Sequence, residues 1–232
     1  MYVMTIDQRG SSTDMDRVPA ILAELRGLTA ARFERSVGDE VQGVVPDAAD
    51  VVEIALHALR SGRWYVGIGI GAVDTPPAAS PREGSGAAFV AARQAVDQAK
   101  AAAGHVPVSV VSGAVLRGAV ASPQAAEGAT ACANAEAVLR LIGRLVQDRT
   151  KAQWTVVDMI RTVQQGRAGR HGTQKQAARE LGITEQSVSR AVRRSGWQEE
   201  WAARPAAGML LATAHKLVVS PGEPDTRNQG DR

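Results

Sequence analysis

The segment from Thr173 to Val192, TQKQAARELGITEQSVSRAV, restricts the fold more than any other part of the chain. Its apolar positions fall into two short helical stripes, Ala177, Ala178 and Leu181, then Val188, Ala191 and Val192. Helices this short are not stable alone, so the stripes must pack against each other and against a further helix. Gly182 stands where the first helix has to end, a place that favours a left-handed backbone. Thr173 and Gln176 have the spacing of a capping box, and Thr184 is placed to cap the second helix. The pattern predicts a helix-turn-helix. Its outward set is Thr173, Lys175, Thr184, Gln186, Ser187, Ser189, Arg190, Arg193 and Arg194. Gln186, Ser187, Ser189 and Arg190 are expected to face base edges from the major groove, while Lys175, Arg193 and Arg194 hold phosphates. Two amphipathic helices joined by a glycine turn also occur as plain structure.

Charge distribution favours the nucleic-acid reading. Between Arg161 and Arg194 the chain has eight Lys or Arg and two acidic residues, whereas the remainder is net negative by three. The positive excess is therefore confined to the segment that would meet phosphates. The one cysteine, Cys132, rules out an intrachain disulfide and a multi-cysteine zinc site, and the four histidines lack metal-ligand spacing. The opening residues lack the pattern of a secretory leader, and no apolar run approaches the roughly 20 residues of a membrane span. A cytoplasmic protein with no membrane partner is expected.

At 232 residues there is room for two small domains. The first half alternates strand and helix patterns. Tyr2 to Ile6 reads as a strand and Asp16 to Thr29 as a helix; Ala31 to Val37 and Val41 to Val45 read as a hairpin turning at Gly38-Asp39. Ala48 to Arg60 is a second helix, Trp64 to Val73 a strand, Ala87 to Ala103 a helix and Val106 to Val111 a last strand. Gly67, Gly69 and Gly71 alternate along their strand, so something must pack closely on that face, either a helix of the same domain or another subunit. The βαββαβ order predicts an α+β fold, a ferredoxin-like sheet with helices on one face, followed by an all-helical helix-turn-helix domain. Residues 1–122 form the expected first domain, with a boundary in the Pro-, Gly- and Ala-rich stretch after Ser122. Residues 134–217 form the second, with Asn134 to Asp148 as a packing or dimerisation helix and Pro205 interrupting the last helix. Residues 218–232 read as a disordered tail.

Asp7 ends the first strand, and Asp39 lies in the hairpin expected to run beside it. Two carboxylates at one sheet edge suit a divalent cation and its phosphate ligand. The segments TIDQRGSS, VGDEVQGVV, VGIGIGAV and GSGAAFVAARQAVDQAK, in that order, resemble the SatD family of bacterial proteins. They resemble more distantly the class III nucleotide cyclases. The resemblance covers about Tyr2 to Lys100 and Trp154 to Arg194. It implies a nucleotide-cyclase-like first domain in which Asp7 and Asp39 match the metal-binding pair and Arg93 matches an arginine that steadies the transferring phosphate. Arg35 falls near the position of a base-selecting lysine, making Arg35 and Arg93 the implied ligand-binding pair. Phe89 stands where the cyclases carry an Asn, and loss of such a donor costs about 100- to 1000-fold in rate. The expected function is a homodimeric DNA-binding transcriptional regulator on double-stranded DNA, with a first domain that senses a small-molecule or nucleotide effector or mediates dimerisation. The alternative is a metal-dependent nucleotide-binding or nucleotide-converting enzyme, using Mg with a nucleotide, whose helical region only targets it.

Overall fold

The computed structural model describes residues 1–74, 80–102, 106–114, 122–165 and 172–219. The basic loop expected at Gln165 to Gly172 lies almost wholly outside them, as does nearly all of the expected tail. The chain is a mixed α+β protein with a five-stranded mixed sheet and, among the described residues, eight α-helices. None of these helices is long and apolar enough to cross a membrane.

Strand β1 (Tyr2–Gln8) lies at the centre of the sheet. It is followed by α1 (Val18–Leu28), the hairpin strands β2 (Phe33–Arg35) and β3 (Glu40–Val45), α2 (Ala48–Arg60) and β4 (Trp64–Ile70). The Gly38 backbone has φ +57°, and the turn closes with Glu40 N–H donating to the Val37 carbonyl at 3.0 Å. After a 3-10 turn at Pro81–Glu83 come α3 (Ala87–Ala101) and β5 (Val108–Ser112). The strand order is β2-β3-β1-β4-β5. Strand β1 is antiparallel to β3 and β4, and β5 runs parallel to β4.

The period-two alternation of β1 divides two cores. Tyr2, Met4 and Ile6 point to one face with Val66, Ile68, Ile70, Val108 and Val110, where α1 and α2 cover them. The opposite face carries Val3 and the three glycines, and α3 packs there rather than beside α1 and α2. This helix runs antiparallel to β4. Its four-residue spacing seats Ala88 over Gly69 and Gly71, Ala92 over Gly67 and Gly69, and Val96 over Gly67. The close approach expected at the alternating glycines is therefore made by a helix of the same chain.

Helix α4 (Pro123–Gln147) begins where the sequence pattern expects a boundary. Ser122 accepts a hydrogen bond from Ala125 N–H, and Pro123 occupies the first turn, so the Ser-Pro pair is a helix start rather than a linker. The expected division at 122–134 does not follow the packing. Ala131, Cys132, Ala135, Leu139, Ile142 and Val146 of α4 join the same core as β1, α1 and α2. Leu141, within the expected packing helix, is 68% exposed. The C-terminal part of α8 (Trp197–Val219) joins that core too, through Ala207, Leu211 and Ala214. It runs unbroken through Pro205, correcting the expected interruption, with packing residues on both sides of the proline. Between α4 and α8 lie α5 (Lys151–Gln165), α6 (Thr173–Leu181) and α7 (Glu185–Arg194), which share a separate small core.

A Cβ at Gly69 would sit 2.1 Å from the Ala88 carbonyl oxygen and 2.3 Å from the Ala92 nitrogen. Backbone cannot swing aside as a side chain does. Gly69→Ala is expected to lower the unfolding free energy by about 1–3 kcal/mol in urea titration, while Gly27→Ala on α1, which meets no neighbour and has an ordinary helical backbone, is not expected to lower it.

Candidate nucleic-acid interface and carboxylate edge

The small core of α5–α7 is built from Val156, Val157, Ile160, Ala177, Ala178, Val188 and Val192, closed by Trp197. Gly182 ends α6 with φ +64° and ψ +30°. Ile183 N–H then donates to the Ala178 carbonyl at 3.0 Å, so the left-handed glycine satisfies carbonyls that the helix end leaves open. Thr184 caps α7, its hydroxyl accepting from Ser187 N–H at 3.1 Å. The buried stripe of α7 is Val188 and Val192, and Gln186, Ser187, Ser189, Arg190, Arg193 and Arg194 are all exposed. Lys175 and Thr184 are exposed beside them.

Thr173 departs from expectation. The cap of α6 is Gly172 in a left-handed conformation, Thr173 is the first helical residue, and it is buried. No capping box forms, and Gln176 Oε1 is buried without a hydrogen-bond partner. A left-handed glycine already turns the chain into the helix, so Thr173 is drawn into the core and off the surface.

The pose of α7 is held by a residue that the sequence pattern does not mark. Arg149, between α4 and α5, is buried with only 1% of its side chain exposed. Its Nε donates to the Ser195 carbonyl at the end of α7 at 2.8 Å, and Nη2 donates to Glu200 Oε2 at 2.9 Å. Its guanidinium also lies over the Trp154 ring at 4.8 Å. Burial pushes the Glu200 carboxyl above its ordinary range, and the hydrogen bond from Arg149 opposes this. Arg204 pairs with the same carboxylate and with Glu53 of α2, and Arg161 of α5 reaches Glu53 at 2.9 Å. In sequence, each of these charges looks like an ordinary solvated one.

At one end of the strands, β1 and β3 pair so that Asp7 stands opposite Glu40, one residue beyond Asp39. Asp39 joins through its backbone, its carbonyl accepting from Gln8 N–H at 3.3 Å. The charge against Asp7 comes from the protein: Lys100 Nζ donates to Asp7 Oδ2 at 2.7 Å. Lys100 continues the series Ala88, Ala92, Val96 down α3, four residues past the last glycine contact. That extension of the glycine ladder is the sequence signal that identifies it. Burial raises the Asp7 pKa; the hydrogen bond from Lys100 lowers it without cancelling that effect, and nearby Asp39 and Asp97 raise it further. Glu40 is raised chiefly by burial as well, with Ser36 and Arg93 acting against it. Burial opposes the Lys100 charge, yet its bond to Asp7 leaves its pKa raised.

Asp7 Oδ2 is held by the Lys100 ammonium, and no group of three ligating side chains occurs among the described residues. Arg93, implied as a phosphate contact, is exposed and 3.8 Å from Glu40. Arg35 is committed elsewhere, donating to Asp16 and to the Gly38 carbonyl. Phe89 is core, packed with Val3, Ala88 and Ala92 under the loop at Gly84.

No protein-family model, curated protein or solved structure matches this chain.

Because Asp7 binds its proton more tightly folded than its ordinary value of 3.8 allows, its contribution to stability is present at low pH and lost as pH rises through the folded pKa. Relative to Asp7→Asn, the native protein is expected to gain stability between pH 7 and about pH 4 in urea titrations. The opposite slope would show that Lys100 dominates the site. Glu200→Ala strands Arg149 in the interior, and the expected loss is about 3–5 kcal/mol in the same assay.

Proposed function

We propose that this chain is a DNA-binding transcriptional regulator that docks α7 in the major groove as a homodimer. The observation that carries the reading is the division of α7 itself. Two valines are sunk in the α5–α6 core, while seven polar side chains stand on the exposed surface, three of them arginines and one, Glu185 in the first turn, acidic. Among the described residues Arg190, Arg193, Arg194 and Lys175 have no carboxylate partner, which leaves their charge available to phosphates and bases. Gln186, Ser187, Ser189 and Arg190 are assigned to base edges, and Lys175, Arg193 and Arg194 to phosphates. Thr184 serves as a cap at the groove wall, and Thr173 is withdrawn from the interface. Two copies would place their recognition helices about 34 Å apart on a two-fold site.

For the sheet unit, the reading is a ferredoxin-like, cyclase-related sensory or dimerisation module. Its support is the βαββαβ order of β1 to β4, with α1 and α2 on one face. The resemblance to the SatD family agrees with a helix-turn-helix joined to such a unit. The enzyme alternative is the weaker one, because Lys100 supplies the counter-charge to Asp7 and Phe89 is a core residue.

Fluorescence anisotropy on the DNA flanking the protein's own coding region, against scrambled DNA, tests the proposal. Selective binding is expected. Arg190→Ala should lose about 1–3 kcal/mol concentrated at one base position. Arg193→Ala should weaken all sequences alike and reduce the salt slope by about 1. Equal, weak binding to both DNAs, unchanged by either variant, would remove the regulator reading.

A further inference from the structure

A cavity of about 550 Å³ lies between the sheet unit and the helix-turn-helix unit. Its floor is α1, α2 and the turn before β4, and its far wall is the first half of α5. Four permanent cations line it: Arg17, Arg60, Arg63 and Lys151. Their carboxylate partners do not match them in number. Arg17 and Arg63 share the single carboxylate of Asp14, at 2.6 and 3.1 Å, and Arg60 holds Asp158 of α5 through two hydrogen bonds of 2.9 and 2.6 Å. Among the described residues Lys151 has no acidic partner, and Glu24, the other acid of the lining, is paired with His57 at 2.8 Å. The size is that of a small-molecule site, and the charge set is that of an anion site. Arg60 already lies over the Trp154 ring at 3.8 Å and Arg149 over it at 4.8 Å, so the aromatic surface is occupied and charge, rather than stacking, is what the cavity offers.

We infer that this cavity binds a small multiply charged phosphate-type anion, held by Lys151, Arg63 and Arg60, and that the anion competes with Asp158 for Arg60. Arg60–Asp158 ties α2 to α5, and α5 carries α6 and α7. An anion on Arg60 releases Asp158 and frees the first half of α5 from α2, leaving Arg161–Glu53, one turn beyond Asp158, as the remaining ion pair between the two helices. Arg149 keeps the C-terminal end of α7 in place, while the side of the unit that rests on α5 then depends on occupancy, which couples the anion to DNA affinity in both directions. This regulatory consequence rests on the DNA-binding reading; the site itself does not.

The test is calorimetric titration of the full chain with inorganic pyrophosphate and, separately, with metal-free ATP. Saturable binding of at least one is expected, with Lys151→Ala and Arg63→Ala each weakening it by about tenfold. Both residues are exposed, so the variants are expected to melt with the native protein. Asp158→Asn removes the internal competitor and is expected to bind the anion more tightly. Tighter binding of ATP than of pyrophosphate assigns the source as a nucleotide, and the reverse assigns a free phosphate compound. The saturating anion and Asp158→Asn should shift DNA affinity in the same direction, by about fivefold or more. No binding of either probe, or binding that ignores both alanine variants, overturns the site. Binding as expected with no effect on measurable selective DNA binding overturns the coupling. Absence of selective DNA binding beside normal anion binding overturns the regulator reading and leaves the site standing.

Discussion

The buried pair Arg149–Glu200 sets the geometry on which the nucleic-acid surface depends. Breaking such a pair leaves a naked charge in a dry interior, so the surrounding backbone is held where both partners stay satisfied. Arg149 reaches the last carbonyl after α7 as well as Glu200 on α8, and it leaves from the corner between α4 and α5. One guanidinium thus ties together the helix before the unit, the end of α7 and the helix after it. Ser195 reinforces the corner: its hydroxyl donates to the Val192 carbonyl at 2.7 Å and accepts from Trp197 N–H at 3.2 Å. A buried pair adds little net stability over a well-packed apolar one, so its main consequence here is a fixed orientation.

The second constraint is the glycine ladder of β4. Without Cβ atoms at residues 67, 69 and 71, α3 settles directly on the strand backbone. Its periodicity then carries Lys100 to the polar end of that face, beside Asp7 and Glu40. The charge balance at that end of the strands follows from packing geometry one turn of helix away. An edge that pairs two acidic positions would otherwise invite a cation from solution, and the fold answers it with its own.

Most of the local structure was legible in the chain. The bounds of α2 match the expected Ala48 to Arg60, and the hairpin, the α6–α7 turn and the cap at Thr184 are all set by neighbours a few residues away. Legibility failed where a residue has two local meanings. Ser122-Pro123 reads equally as linker or helix start, and the choice went to the helix because α4 has an apolar face for the sheet to cover. Thr173 has a cap's chemistry, but Gly172 takes that place. Pro205 breaks isolated helices, yet α8 is clamped on either side of it, by Glu200 and Arg204 before and by Ala207 and Leu211 after.

What the sequence by itself determined was the set of elements and the exposed face of α7, because periodicity, caps and glycine turns act over one or two helical turns. Only the tertiary structure decided that α4 and α8 belong to the sheet core, that Asp7 meets Lys100, and that Arg149 and Glu200 are interior. The last two join residues between 46 and 93 positions apart, and the core that α8 enters joins its residues to β1 at the opposite end of the chain. A charged side chain carries no local mark of whether it will be solvated or enclosed; that depends on which distant partner the folded chain brings within hydrogen-bond reach.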